Sequence, residues 1–422
     1  MTTRSILLAT LCSLAASATA ADSTFTPLSD PGKTFTSESN TGEFFRPNLG
    51  TFEEARPLKV RVSATKDSVT GGVAMKWVFE KDAKGQITFE KSDYDSAAAG
   101  ITFYAKASKP IHLRVCGDVR QEKKKVVEIG TEWRKHDFSW AEMGGTQDWW
   151  QLVFQVTDPI SERTTLWLDR VGVEGPAFDP APTIDVQSGT DQAISSSDIL
   201  YGAEHLAKTV ERLKAKQPFK IVALGDSISA GAQSTRGSWG IDLAKGVAFR
   251  YFGQVAHVCE QHFGYTGITP VAVAHGGWTT KMLLGVVDTE LMPQLSADDL
   301  VVLQSGGNDI ANGSAVDVWK NDLKAIIAKI RTKTDQILVV DTVVTASGPV
   351  VAQAEAISKT LRDIVAEEKV AGADVTKFLT YRGPGFACAL LANDYHPDFT
   401  GHMIIGDMIA PILTGKHVTY PE

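Results

Sequence analysis

Two textures of apolar patterning divide the chain. From about Arg61 to Val173 the apolar residues come in short runs, partly alternating with polar ones and rich in β-branched and aromatic side chains. Eight such runs (72–80, 86–91, 101–107, 111–115, 125–130, 135–139, 150–156 and 165–173) are mostly bounded by Gly, Pro, Asp or Ser, the mark of strands separated by turns. No helical periodicity intervenes, so these runs predict an all-β sandwich. From Lys220 the runs become apolar without alternation: Ile221 to Leu224, Val271 to Ala274, Leu300 to Leu303 and Ile337 to Val340. Strands apolar on both faces must be covered on both faces. The amphipathic stretches 316–332 and 352–370 predict helices that cover them. The second half is therefore expected to be an α/β unit, a parallel sheet in three layers.

The seam between the textures is also legible. Gly175-Pro176 closes the first, and 179–197 is rich in Pro, Ser and Asp, as linkers are. Ser195 to Ser197 are placed to cap a helix over 198–216. At the other end, a short positive start, the apolar run Ile6 to Ala18 and Ala18-Thr19-Ala20 have the layout of a cleavable export signal. The expected organisation is a signal over 1–20, a β-sandwich over 21–176, a linker and helix over 177–216 and the α/β unit over 217–422. Export implies the periplasm or the medium as destination. A chain of 422 residues is too long for one ordinary core, which agrees with two units.

Composition narrows the partners. Hydrophobic residues at 43% and charged residues at 22% are those of a soluble globular protein. A formal net charge of −8 argues against nucleic acid and anionic membranes. No later stretch approaches the roughly 18–20 apolar residues of a membrane span. Of four cysteines, Cys12 lies in the signal, and Cys116, Cys259 and Cys388 remain without any CxxC, so neither zinc nor dithiol chemistry is indicated. A Cys259–Cys388 disulfide and three buried thiols both fit. Nothing in the pattern sets an oligomeric state.

The chemistry gathers where strands end. In doubly wound sheets, active groups sit in loops at the carboxyl ends of strands. The first apolar run leads into Gly225-Asp226-Ser227-Ile228-Ser229, the second into His275-Gly276-Gly277-Trp278-Thr279-Thr280, and the third into Gln304-Ser305-Gly306-Gly307-Asn308-Asp309. Near the C-terminus come Asn393-Asp394-Tyr395-His396-Pro397 and then His402. A serine hydroxyl needs an adjacent base, most often histidine, to act as a nucleophile. The tetrahedral oxyanion it creates needs donors aimed at one point. Backbone N–H groups at Ser227 and Gly277 and the Asn308 amide are candidates for that role.

These four ordered blocks resemble the SGNH (GDSL) hydrolases, over roughly Lys220 to the C-terminus. The resemblance implies a flavodoxin-like α/β fold and a serine esterase that needs no cofactor or metal. It makes Ser227 the nucleophile, His396 the base, and Gly277 and Asn308 the oxyanion donors alongside the Ser227 backbone. One block departs from the pattern. The family places an aspartate three residues before the histidine, where this chain has Asn393, and Asp394 follows one residue later. Either Asp394 orients the imidazole, or the enzyme is a Ser–His dyad in which the Asn393 amide oxygen or a backbone carbonyl holds the histidine N–H.

Other residues carry weaker signals. His275 and Trp278 beside the oxyanion glycine are candidates to line the substrate pocket or simply to pack. Asp226 and Asp309 read as loop braces. His257, Glu260 and His262 lack the spacing of a helical metal site. Six of nine tryptophans fall in the first unit (Trp77, Trp133, Trp140, Trp149, Trp150, Trp167), where exposed rings would suit sugar stacking and buried ones a core. Leu166 to Val171 resembles the last strand of galactose-binding-like jelly rolls. The combined reading is an exported esterase that deacetylates a polysaccharide or oligosaccharide. A GDSL-type lipid esterase or thioesterase, an acetyltransferase, and a glycan-binding protein with a decayed hydrolase domain are the rivals.

Overall fold

A computed structural model describes residues 25–29, 46–48, 60–65, 67–69, 74–83, 86–90, 100–116, 124–143, 151–174, 193–231, 246–342, 349–380, 396–397 and 399–420. The expected signal, most of the linker, Cys388, Asn393, Asp394, Trp149 and Trp150 lie outside these residues.

The first unit is built from antiparallel strands: β1 (Phe25–Ser29), β2 (Arg46–Asn48), β3 (Val60–Thr65), β4 (Ala74–Phe79), β5 (Gln86–Glu90), β6 (Gly100–Ala107), β7 (Ile111–Cys116), β8 (Lys124–Ile129), β9 (Arg134–Ser139), β10 (Gln151–Val156) and β11 (Thr164–Glu174). The eight runs read from the pattern correspond to β4 to β11, each end within two residues. The first three strands begin in the stretch up to about Arg61, whose polar and Gly/Pro-containing sequence gave no strand signal. One sheet has the order β3-β4-β11-β6-β9 with β1 beside β11, the other β2-β5-β10-β7-β8. The two sheets meet through their apolar faces, with Phe103 of β6 edge-on to Phe154 of β10 at 5.0 Å. Trp77, Phe79, Leu113, Val115, Leu166 and Leu168 fill the same core. Trp77 and Trp140 are therefore core residues, whereas Trp133 and Trp167 are half-buried. Both half-buried rings flank the Lys106 ammonium, at 5.2 and 5.0 Å.

The second unit opens with β12 (Ile194–Ser195) and β13 (Leu200–Tyr201), and only then the helix α1 (Ala207–Lys214). The helix expected from residue 198 thus starts nine residues later. Ser195 does cap, closing a capping box with Asp198, but on a single 3-10 turn. Leu200 and Tyr201 then pair with the sheet edge, and Gly202 at φ +66° ends any helical path.

The main sheet comprises β14 (Phe219–Gly225), β15 (Ile268–Ala274), β16 (Leu300–Gly306), β17 (Ile337–Thr342) and β18 (Ala371–Asp374), all parallel, in the order β15-β14-β16-β17-β18. This is the 2-1-3-4-5 order of flavodoxin-like sheets. The sheet is not wholly parallel, because β13 adds an antiparallel edge to β18. That edge strand is short enough to arise from a linker. The pattern missed β18, whose Ala-Gly-Ala-Asp has little apolar bulk. Its residues are small because a helix lies on its backbone: a Cβ at Gly372 would stand 2.5 Å from Val365 Cγ2.

The covering helices are α2 (Tyr251–Phe263), α3 (Thr280–Val286), α4 (Gly307–Ala311), α5 (Val316–Ile330), α6 (Pro349–Glu368), α7 (Val375–Thr380), α8 (Phe399–Ile409) and α9 (Pro411–Thr414). Thr419–Tyr420 forms β19, which pairs with β12. Buried side chains lie on both faces of the sheet, with Ile221, Ala223, Val302 and Val340 in one cluster and Val222, Leu224, Leu303 and Val339 in the other. Unalternating apolar strands require this arrangement. The direction in which successive strands are added reverses at β14, whose neighbours β15 and β16 lie on opposite sides. Such switch points open a crevice at the carboxyl ends of the strands.

Candidate active site

Three loops meet at that crevice. The first follows β14, where Gly225 leads into a tight turn. Ile228 N donates to Asp226 Oδ1 (2.9 Å), Ala230 N to the Asp226 carbonyl (3.0 Å) and Gly231 N to the Ile228 carbonyl (2.9 Å). Beneath it stands Gln304, fully buried on the neighbouring β16. Its Oε1 accepts from Ser229 Oγ (2.7 Å), Ser229 N (3.3 Å) and Asp226 N (3.3 Å). The Tyr251 hydroxyl, at 3.0 Å from Ser229 Oγ, extends this buried network. Position 225 must be glycine: a Cβ there would lie 2.3 Å from Ser229 Oγ and 2.7 Å from Gln304 Oε1. Asp226 is almost wholly buried, and burial pushes its carboxyl up to about 6.

Ser227 sits on the outside of this pinned turn, partly exposed. Its Oγ stands 2.9 Å from His396 Nε2, across 169 residues of sequence. His402, six residues on, is buried in α8, stacked on Tyr251 and held neutral by burial, its imidazole pushed down to about 3. It is a packing residue of the helix interior.

The second loop follows β15. His275 N donates to the Gly225 carbonyl (3.0 Å), tying the loop to the start of the serine turn. Gly276 runs against the serine, since a Cβ there would stand 3.8 Å from Ser227 Cβ. Gly277 has φ +78°, a conformation that glycine adopts without strain. The Trp278 indole stacks on the His275 imidazole (centroids 3.9 Å apart, planes 14° apart), and His275 Nε2 reaches Glu290 Oε2 at 2.7 Å.

The third loop follows β16. Gly306 turns at φ +121° into α4, and Asn308 Nδ2 donates to the Trp278 carbonyl (2.9 Å), so the second and third loops are joined. Asp309 is buried and accepts from Thr280 N and Thr280 Oγ1 (2.9 Å), the latter also hydrogen-bonded to Ser305 Oγ (2.8 Å). Burial raises the Asp309 carboxyl too.

Ser227, His396, Gly277, Asn308, His275 and Trp278 are therefore brought to one end of the sheet. Asn393 and Asp394 lie outside the described residues. Glu260 accepts from Gly267 N and Ile268 N, so its carboxylate closes a loop. Among the described residues no cluster of three metal-binding side chains occurs. Cys259 is a buried free thiol, pushed up to about 12 by burial, and Cys388, its partner in the bridge considered above, lies outside the described residues. No role was read from the sequence for Gln304, which only opens the third block, or for Glu290. Gln304 had a signal, a polar residue ending the apolar run Leu300 to Leu303; Glu290 had none.

Residues 223–404 match the family model described as the GDSL-like Lipase/Acylhydrolase family. No curated protein matches the chain. Among solved structures the chain is similar to a lipase/acylhydrolase from Enterococcus faecalis, with 20% identity covering 47% of this chain and 97% of that one, at a TM-score of 0.38. It is similar to the acetylxylan esterase Axe2 from Geobacillus stearothermophilus, with 20% identity covering 46% and 94%, at 0.38. It is also similar to a two-domain esterase active on acetylated mannans, with 16% identity covering 53% and 58%, at 0.40.

Proposed function

We propose that this chain, which over residues 223–404 matches the GDSL-like lipase/acylhydrolase family, is a carboxylic ester hydrolase of that family, an exported carbohydrate O-acetyl esterase acting through an acyl-enzyme on Ser227. The observation that carries the serine mechanism is the 2.9 Å contact between Ser227 Oγ and His396 Nε2 at the switch point of the sheet. At this distance the imidazole takes the hydroxyl proton as Oγ attacks the ester carbonyl. The negative charge then moves onto the carbonyl oxygen, beside the Ser227 turn and the Gly276-Gly277 backbone. Gly277 N–H, Ser227 N–H and the Asn308 amide are the proposed donors. The Asn308 amide has two hydrogens, and only one is taken by the Trp278 carbonyl. As the tetrahedral adduct collapses, His396 gives the proton to the departing sugar oxygen, which leaves as the free hydroxyl. Water repeats the sequence on the acyl-serine and releases acetate.

We assign Asp394 as the group that orients His396, with Asn393 or a backbone carbonyl as its replacement in a dyad. His275 and Trp278 bound the site on the side of Gly277.

The carbohydrate half rests on architecture. The connections from β4 to β11 cross between the two sheets every time except at the β7–β8 hairpin. This supports reading the first unit as a jelly roll. The order of a jelly roll before an SGNH domain resembles that of some carbohydrate O-acetyl esterases. The half-buried Trp133 and Trp167 give its outer surface aromatic area suited to sugars.

The deciding experiment is acetate release from acetylated xylan and mannan by the mature protein and by Ser227→Ala. Release that vanishes in the variant supports the proposal. Silence on glycans with rapid cleavage of octanoate esters would turn the assignment to a lipid esterase. Silence on every ester would overturn the mechanism.

A further inference from the structure

The proposed oxyanion loop is held from one side by a residue that the reaction scheme does not use. Glu290 lies in a π-helical turn, Val287–Leu291, which follows α3 directly. Single π turns are rare and are frequently found at functional sites. This one buries Val287 and Leu291 in the core and is tied to α5 by the Asp288–Lys329 ion pair. Its remaining acid, Glu290, reaches the loop after β15 and accepts from His275 Nε2 at 2.7 Å.

What that contact fixes is the direction of the loop. His275 and Trp278 bracket Gly276 and Gly277, and their stacked rings close a staple across the two glycines. Glycines do not hold their own conformation; they lose more freedom on ordering than any other residue. The main chain is pinned at both ends, by His275 N on the Gly225 carbonyl and by Asn308 Nδ2 on the Trp278 carbonyl. Neither bond sets the rotation of the peptides between them. A ring stack held at its rim by a carboxylate does.

We propose that Glu290, acting through His275 and Trp278, is a positioning residue that aims the Gly277 N–H group at the oxyanion formed on Ser227. Glu290 reaches the loop through His275, so it acts on the reaction through the loop and not as a catalytic group. The inference rests on the serine-esterase reading of the same site.

The test compares Glu290→Ala and Glu290→Gln with the wild type on p-nitrophenyl acetate, together with inhibition by a trifluoromethyl ketone. The ketone adds to the serine and places a tetrahedral oxyanion in the loop. Outright loss of an oxyanion donor costs about 10²–10³ in kcat, and a misaimed donor should cost less. For Glu290→Ala we expect kcat to fall roughly tenfold, with KM within about twofold and the ketone Ki raised in parallel with the fall in kcat. Glu290→Gln keeps an acceptor for His275 and should recover most of the loss. Unchanged kcat and Ki in Glu290→Ala would overturn the proposal. So would a fall accompanied by a lowered melting temperature and no recovery in Glu290→Gln, which would mark a structural role. If the wild type resists the ketone and Ser227→Ala keeps full activity, the serine reading itself fails and takes this inference with it; the first two outcomes leave that reading intact.

Discussion

Replacing Asp226 with asparagine should make the protein more stable at neutral pH. Asp226 lies beneath the serine with one backbone N–H on its Oδ1 and is 1% exposed. Burial, opposed by hydrogen bonds from Ile228 and Gln304 and reinforced by the nearby Asp309, pushes its carboxyl from an ordinary 3.8 to about 6. A carboxyl raised in the folded state contributes stability that is complete below pH 3.8. That contribution is lost as pH rises to about 6 and stays lost above it. At ~1.4 kcal/mol per pH decade, the gap is about 3 kcal/mol at pH 7. An asparagine in this place would never ionise and would still accept from Ile228 N. D226N should therefore gain about 2–3 kcal/mol at pH 7 and under about 1 kcal/mol at pH 4. Urea unfolding of both proteins at pH 4, 5.5 and 7, followed by tryptophan fluorescence, measures the difference. Destabilisation at pH 7, or an equal gain at pH 4 and pH 7, would refute the reasoning. Ester turnover should drop only a fewfold, because the acceptor that shapes the turn remains.

The remaining predictions concern other buried groups. Asp341 and Asp374 are cross-strand neighbours at the ends of β17 and β18, and both are fully buried. Burial and the charge of Asp374 hold the Asp341 carboxyl well above the usual range, so the pair loses stability as pH rises. Asp341→Asn, which keeps an acceptor for Val375 N, should raise the melting temperature more at pH 9 than at pH 5; a loss at both would contradict this. Gly225→Ala should destabilise by about 2–3 kcal/mol, and should lower kcat at least tenfold through displacement of the Ser227 turn. Denaturant unfolding and acetate-ester kinetics measure the two effects. Cys259 should resist iodoacetamide in the folded protein at pH 8 and react once urea exposes it, as site-resolved mass spectrometry would report; rapid labelling of the folded protein would contradict its burial.

Periodicity determined much of this protein. The eight alternating runs became β4 to β11, and the unalternating runs became β14 to β17, because which faces of a strand meet water is a local property written residue by residue. The strand-end positions of Ser227, Gly277 and Asn308 were legible for the same reason: loops after buried strands must be polar or small. Other features have no local signature. Leu200 and Tyr201 left the helical path because a free sheet edge offered them hydrogen bonds, and Ala371 to Asp374 became a strand only because α6 packs on its backbone. Antiparallel β13 closes a sheet whose apolar runs pointed to parallel pairing alone.

The site divides in the same way. Residue types and order suggested a serine hydrolase, but the 2.9 Å approach of His396 to Ser227 joins positions 169 residues apart. Only the tertiary fold could show Gln304 gathering three donors from the serine turn, or Glu290 reaching His275 from a π turn. Hydrogen-bond partners across a sheet are fixed by strand order and register, to which each segment contributes only its share. The chain by itself specified what each segment could bury; packing those segments together decided which polar groups would meet.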